Sequence, residues 1–404
     1  MNTISIVLDR LHAGYLGAYG NAWIDTPALD RLAFESFVVD QYLIDGPQLD
    51  VLYRSFWHGR HALGDAETPE AESALAELLA TAGVHTALVT DEPAVAGHPS
   101  ARGFVETSEL ERPESAAVAE RYDRTHLARS FARAIDWLDS AREPFLLWCH
   151  FAGLAGPWDA PLEFRLRYVE PGDPDPPADS RPPCRMLEEG YDPDELLGAC
   201  QAYAGQVTLL DTCVGALLEF LEAHPSGQNT LLLLTSARGL PLGEHRRLGP
   251  VDAALYGELV QVPLVMRFPD RLASAVRTPA LVHPADLWAS LLDWHWMTDL
   301  PPAPAAASLM PLVRGDVGFL RDRVCSVEGS QRAVRTPAWY LRDGDRPELF
   351  VKPDDRWEAN DVADRCVEVV ELLRDAYRQY EGAIRSGRVA ELPPLEDVLV
   401  SGIQ

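Results

Sequence analysis

Lysine is almost absent from this chain: Lys352 is the only one, so nearly all of the 35 basic residues are arginine. A guanidinium stays protonated near neutral pH and does not trade protons, which leaves one candidate for any chemistry that needs a buried amine. Positive charge as a whole is scarce, with 35 Lys plus Arg against 62 Asp plus Glu and a formal net charge of −27. Such a field repels phosphate backbones and anionic membrane surfaces, so neither nucleic acid nor membrane is expected as a partner. The six cysteines, Cys149, Cys184, Cys200, Cys213, Cys325 and Cys366, form no CxxC pair and no zinc-like spacing, and read as reduced, mostly buried thiols. No apolar run approaches the roughly 18 residues that span a bilayer. The opening MNTISIVLDR lacks a basic n-region, a long apolar stretch and a small-residue cleavage site. The expected compartment is therefore the cytoplasm, with Thr3 to Leu8 as the first strand. GxGxxG, Walker and GxSxG motifs are missing too, which removes the dinucleotide, P-loop and serine-hydrolase readings.

What is present is an ordinary globular composition, 47 % apolar and 24 % charged over 404 residues, enough for two or three domains. Short apolar runs recur at Ile4 to Leu8, Thr86 to Val89, Phe145 to Trp148, Leu231 to Thr235 and Val262 to Met266. Runs of this length between turn residues read as strands of a parallel sheet buried on both faces. Helical patterns lie between them: one opened by Thr26-Pro27, with the threonine as cap, then Glu67 to Thr81 stopped by Gly83, Ser115 to Ser140, and Asp194 to Ala223. Alternation of this kind argues for a doubly wound α/β sheet. Glu170 to Pro183 holds six prolines in fourteen residues and reads as a surface excursion. A second break, Leu300 to Ala307, precedes three extended pieces, Val324 to Val327, Ala333 to Val334 and Trp339 to Leu341, and then a helix from about Asn360 to Ile384. That order predicts a small antiparallel α+β subdomain. The Trp294-His295-Trp296 cluster, at the end of a helix beginning near Pro284, reads as core or interface packing.

Six collinear blocks carry a family resemblance. The stretch VLDRLHAGYLGAYGNAWIDTPALDRLAFES resembles the amino-terminal block of the sulfatases, members of the alkaline phosphatase superfamily. There a strand ending in Asp-Asp runs into a Leu-Gly-x-Tyr-Gly turn and a Thr-Pro-x-Leu-Asp helix. FLLWCHFAGLAGPWDAPLEF is similar to the family's central strand and His-Gly-Pro-Trp loop, and LLLLTSARGLPLGEH to its Thr-Ser-Asp-His-Gly strand end and Leu-Gly-Glu-His turn. LYGELVQVPLVMRFP resembles the Leu-Tyr-Glu-Glu strand, while RAVRTPAWYL and PELFVKPDDRWEANDVA resemble the carboxy-terminal subdomain. The resemblance implies a large, mostly parallel sheet flanked by helices over 1–300, with a surface insertion at about 169–193. A packed antiparallel α+β subdomain is implied over 308–404.

It also implies a chemistry that this chain has lost. Active relatives use a formylglycine made from the cysteine of Cys-x-Pro-Ser-Arg, and a divalent cation, usually calcium. Counting back from the shared Gly59-Arg60, that motif falls on Leu49, Asp50, Val51, Leu52 and Tyr53, and no cysteine occurs before Cys149. The paired aspartates of the first strand become Asp9 and Arg10, and the later Asp-His or Asp-Asn pair becomes Ala237 and Arg238. Asp9 is the one vestigial metal ligand, and calcium, which wants six to eight oxygens, is not expected. The family's supporting lysine and histidine positions hold Asp91, Pro93, Ala155 and Pro250. These losses read as a pseudoenzyme on a kept scaffold. Asp9, Arg10 and Arg238 leave one net positive charge. Arginine forks match sulfate, phosphate and carboxylate oxygens, so Arg10 and Arg238 either bind a sulfated or phosphorylated ligand or merely fill the emptied pocket and pair with Asp9, Asp91 and neighbouring carboxylates. Two other readings stand beside this one. One is a hydrolase with an unorthodox centre, built on Ser55 or Tyr53 with His12 or His58; the other is a partner subunit whose contact includes Trp294 to Met297. His58 and His61 at i, i+3 read as surface or capping histidines rather than metal ligands.

Overall fold

The computed structural model describes residues 1–64, 74–113, 117–297, 301 and 303–402. Its strands are β1 (Asn2–Leu8), β2 (Phe37–Tyr42), β3 (His85–Thr90), β4 (Glu106–Glu109), β5 (Phe145–Phe151), β6 (Arg185–Met186), β7 (Thr230–Ser236), β8 (Arg247–Leu248), β9 (Leu264–Arg267), β10 (Val276–Val282), β11 (Val324–Glu328), β12 (Gln331–Arg335), β13 (Trp339–Asp343) and β14 (Pro347–Val351). Its helices are α1 (Pro27–Phe34), α2 (Leu49–His58), α3 (Leu75–Thr81), α4 (Pro93–Ala96), α5 (His126–Asp139), α6 (Leu162–Leu166), α7 (Pro193–Ala223), α8 (Gly257–Val260), α9 (Ala285–Trp294), α10 (Met310–Arg314), α11 (Val367–Ser386) and α12 (Asp397–Ser401). They divide into two compact units that interleave along the chain. The first holds Met1–Val38, Leu79–Asp252 and Val262–Arg277; the second holds Val39–Leu78, Ala253–Gln261 and Thr278–Gln404.

In the first unit the sheet runs β9-β7-β1-β5-β3-β4, and β2 and β10, which both begin in that unit, continue it past β9 to eight strands. Strands β7, β1, β5 and β3 are parallel neighbours, buried along nearly their whole length and mostly apolar. The run at Val262 to Met266 belongs to the sheet but not to its parallel part: β9 pairs antiparallel with β7. One 3-10 turn, the two-residue β8 and the four-residue α8 separate β7 from β9, and this connection lacks the crossover helix that usually makes a parallel return. Three strands of this sheet were not expected. β4, with sequence ETSE, is an exposed edge. β10 is the opposite edge and tolerates Pro279, as edge strands do. β2 mixes Asp40 and Gln41 into its apolar start.

Helix boundaries follow caps. α7 starts at Pro193 because Asp192 accepts the Asp194 amide at 2.9 Å and proline fits the first helical position. It is the one described helix long and apolar enough to cross a membrane by composition, and 72 % of that window is buried within the protein. The helix expected from Ser115 starts instead at His126, where the Thr125 side chain accepts the Ala128 amide; residues 115 and 116 lie outside the described residues. Of the helix expected at Glu67 to Thr81, the described part is α3, and 67–73 lie outside. Thr26 does not cap α1: its hydroxyl donates to Asp30 at 3.3 Å, and Asp211 from α7 accepts the Leu29 amide at 2.8 Å. Burial raises the Asp211 carboxyl to about 6.

The second unit carries the antiparallel sheet β11-β12-β13-β14, one strand more than expected, and α11 packs on it through Val369, Val370, Leu373 and Tyr377. α11 begins at Val367 rather than near Asn360, because the preceding residues form a turn in which Asp361 accepts the Leu349 and Ala363 amides. Gly59 ends α2 at φ 66°, where a Cβ would stand 2.8 Å from the Trp288 ring, so only glycine suits this cap. The tryptophan pair after Pro284 splits: Trp294 is buried and Trp296 is 72 % exposed. All six cysteines are free, but only Cys149, Cys213 and Cys325 are buried; Cys184 is exposed on the proline-rich excursion.

Candidate functional site

Open α/β sheets bind ligands at the carboxyl ends of their parallel strands. Leu8 and Ser236 are register partners at the ends of β1 and β7, so Asp9-Arg10 and Ala237-Arg238 emerge side by side. The Ala237 amide donates to Leu8 O at 2.7 Å, and Ser236 Oγ accepts the Leu11 amide at 3.0 Å, tying the two turns together.

Asp9 is 1 % exposed and gripped by Arg238 through two parallel bonds, Nε to Oδ1 at 2.9 Å and Nη2 to Oδ2 at 2.5 Å. This fork commits both carboxylate oxygens. Burial opposes ionisation of Asp9, but the guanidinium of Arg238, assisted by Arg10, outweighs it and holds the carboxyl well below the usual range.

Arg10 is placed differently. Its Nη1 donates to Gly239 O at 3.2 Å and its Nε stands 4.0 Å from Asp9 Oδ1; no further bond to its guanidinium exists among the described residues, although Arg10 is only 9 % exposed. Desolvation, and then the charge of Arg238, bring its pKa down to about 10, so it remains a cation at neutral pH. Its backbone sits at φ 68°, a left-handed conformation that residues with a Cβ avoid. Tyr203 on α7 holds that turn: its hydroxyl donates to Arg10 O at 2.7 Å and accepts the His12 amide at 2.8 Å. His12 Nδ1 accepts the Gly14 amide at 2.8 Å, which leaves the proton on Nε2, 3.3 Å from Glu244 Oε1. Burial opposes ionisation of Glu244, yet the bond to His12 prevails and holds its pKa at about 2.

A second polar cluster closes the ends of β3 and β5. Asp91 Oδ1 accepts the Ala152 amide at 2.8 Å and Oδ2 lies 2.7 Å from His126 Nε2, while Asp159 accepts the His126 amide at 2.6 Å. Asp91 is thus a buried strut between two strand ends and the start of α5. Pro93 and Pro250 are exposed, and Ala155 is half-buried in the loop after β5. Leu49 and Tyr53 belong to the second unit, where both are buried on α2 and Tyr53 packs edge-on against Phe56 and Trp57. Ser55 Oγ, fully buried, lies 2.6 Å from both Asp45 Oδ2 and Arg60 O. His61 spends both ring nitrogens on backbone, accepting the Leu63 amide at 3.1 Å and facing Cys325 O at 3.1 Å.

The donors present do not fit calcium. Asp9 has both oxygens on Arg238, Ala237 brings none, and two guanidiniums repel a cation. Among the described residues no group of three or more His, Cys, Asp or Glu is gathered to hold a metal ion.

Sequence reasoning missed His150, Tyr203, Glu244 and His126. His150 had a signal, as the one imidazole in the otherwise apolar strand FLLWCHF; the others are brought in by α7, the turn after β7 and α5, which no local pattern announces. Burial lowers the pKa of His150, with Asp9 and Asp91 opposing. His150 is therefore neutral in the folded state but titrates near 6.5 when unfolded. Its contribution is intact above about pH 6.5 and lost as pH falls below it, at about 1.4 kcal/mol per pH unit. Urea unfolding between pH 7.5 and 5.5 is expected to give a shallower acid slope for His150→Asn than for the parent chain.

Three comparisons bear on this geometry. The family model described as Sulfatase matches residues 1–295. The N-acetylglucosamine-6-O-sulfatase of Bacteroides thetaiotaomicron is 25 % identical over 202 residues, covering 44 % of this chain and 36 % of that protein, so the chain spans about a third of this curated relative's length. Among solved structures, the phosphonate monoester hydrolase of Agrobacterium radiobacter superposes with a TM-score of 0.76 at 17 % identity, covering 96 % of each chain. A structure bound to its substrate D-glucosamine-2-N,6-O-disulfate superposes with a TM-score of 0.75 at 18 % identity, covering 94 % of this chain and 98 % of that one.

Proposed function

The chain belongs to the sulfatase family, and from that premise we propose that it is a non-catalytic member that holds a sulfate-like tetrahedral anion through Arg10, with Arg238 as the charge that organises the site. A single observation carries this reading: Arg10 is a nearly buried guanidinium with one hydrogen bond, at the carboxyl end of the central strand, in a backbone conformation that costs free energy. The remaining N–H donors of Arg10 are not among the buried unpartnered atoms, so they reach the opening at the strand ends, where an oxyanion would supply charge-assisted acceptors. Arg238 shares the positive field but is occupied by Asp9, so the two arginines differ in role. A sulfate-ester or phosphonate head, the chemistry named in the relatives above, has the shape and charge that a free guanidinium edge accepts. Turnover is not part of the proposal: Leu49 offers no nucleophile, and among the described residues no His, Cys, Asp or Glu group is gathered for a cation.

The test is thermal unfolding in sodium sulfate against sodium chloride at matched ionic strength. Sulfate at one hundred times its dissociation constant adds about 2.7 kcal/mol to the folded state. Arg10→Gly is expected to abolish that response and, in the absence of sulfate, to raise stability by about 1 kcal/mol, because glycine adopts the left-handed turn without strain. A sulfate response that survives Arg10→Gly contradicts the assignment.

A further inference from the structure

The proline-rich excursion is built rather than loose. Arg165, fully buried on α6, donates to the carbonyls of Pro177, Asp179 and Trp158, the Asp179 bond being 3.0 Å, and so staples the excursion to the body of the first unit. Between the stapled segment and the first turns of α7 lies a cavity of about 470 Å³, within the usual range for small-molecule sites.

Its floor is apolar and its rim is acidic. Gly198, Ala199 and Ala202 follow one face of α7, and Trp158 and Leu248 close the base. Small residues there keep the floor low: a Cβ on Gly198 would already stand 3.3 Å from the Pro177 ring. Prolines form the facing wall and lose little entropy on binding. Five carboxylates and two arginines line the rim. The arginines are already spent, Arg181 on Asp179 at 2.5 Å and Arg185 on Glu195. Asp175 and Asp194 have no cationic partner among the described residues. The groove therefore keeps a net negative charge over an apolar floor, inside a chain of net charge −27 that draws cations from solution.

We propose that this groove binds a small organic amine with an apolar body, the ammonium between Asp175 and Asp194 and the hydrocarbon over Ala199 and Ala202. An anion is disfavoured by the rim, and a fully hydrated inorganic cation has no use for the floor. The proposal is independent of the anion pocket and stands or falls without it.

Calorimetric titration of the full chain with benzylamine, benzyl alcohol and benzoate tests it, since the three probes share a body and differ in charge. Benzylamine is expected to bind at least tenfold more tightly than benzyl alcohol, with benzoate weaker still, and to weaken as salt rises. The double variant Asp175→Asn, Asp194→Asn, at two exposed positions, is expected to lose at least tenfold in benzylamine affinity. Equal binding of the neutral probe, unchanged affinity in the double variant, or no benzylamine binding in the millimolar range overturns the proposal.

Discussion

Arg238→Met is expected to remove about 3–5 kcal/mol of folding stability, because it strips both hydrogen bonds from a carboxylate that is buried to within 1 %. Methionine keeps the stem's volume, so the loss is electrostatic rather than a cavity. Arg10 does not step in: its nearest nitrogen is 4.0 Å from Asp9, and its backbone is pinned by Tyr203. The double change Asp9→Asn, Arg238→Met removes the orphaned charge and is expected to recover most of the loss, giving a coupling energy that a mutant cycle reads directly. Urea unfolding with an unchanged slope is the measurement. A loss below about 1 kcal/mol for Arg238→Met would place the pair with solvent-exposed bridges and remove Arg238 as the organiser of the site.

Restoring lysine at Asp91, the residue expected there from the family resemblance, is predicted to be nearly as damaging. Asp91 satisfies the Ala152 amide and faces His126 Nε2, all of them buried. Asp91→Lys leaves that amide without its acceptor and sets a buried ammonium against the imidazole. Asp91→Ala removes the acceptor alone and is expected to cost on the order of 3 kcal/mol; Asp91→Asn keeps one acceptor oxygen and is expected to cost less. The order Asn, Ala, Lys in increasing loss, read from thermal midpoints, is the signature of a position rebuilt for structure. A stable Asp91→Lys protein would instead mean that this position has room for a lysine.

Why the sequence made some of this visible follows from which forces act locally. The four parallel strands were legible because burial on both faces demands continuous apolar runs, and IVL, FLLW and LLLL leave no other place for them. Asp9, Arg10 and Arg238 were legible through the family resemblance, whose motifs place them just past such strands. Edge strands were not: β4 has no apolar residue to read, and β10 looks broken by Pro279. Nor were the long-range partners. Tyr203 reaches Arg10 across 193 positions and Asp211 reaches Leu29 across 182, and no window of sequence contains both members of either pair. The left-handed backbone at Arg10 was hidden for the same reason, since the tyrosine that stabilises it lies on another element.

The most direct test of the account is differential scanning of the purified chain with calcium, with EDTA and with inorganic sulfate, each at constant ionic strength. A site of one committed aspartate and two arginines predicts a higher midpoint in sulfate and no response to calcium or to its removal. Stabilisation by calcium that EDTA reverses would contradict the account, because it would require oxygen ligands where Arg10 and Arg238 now stand.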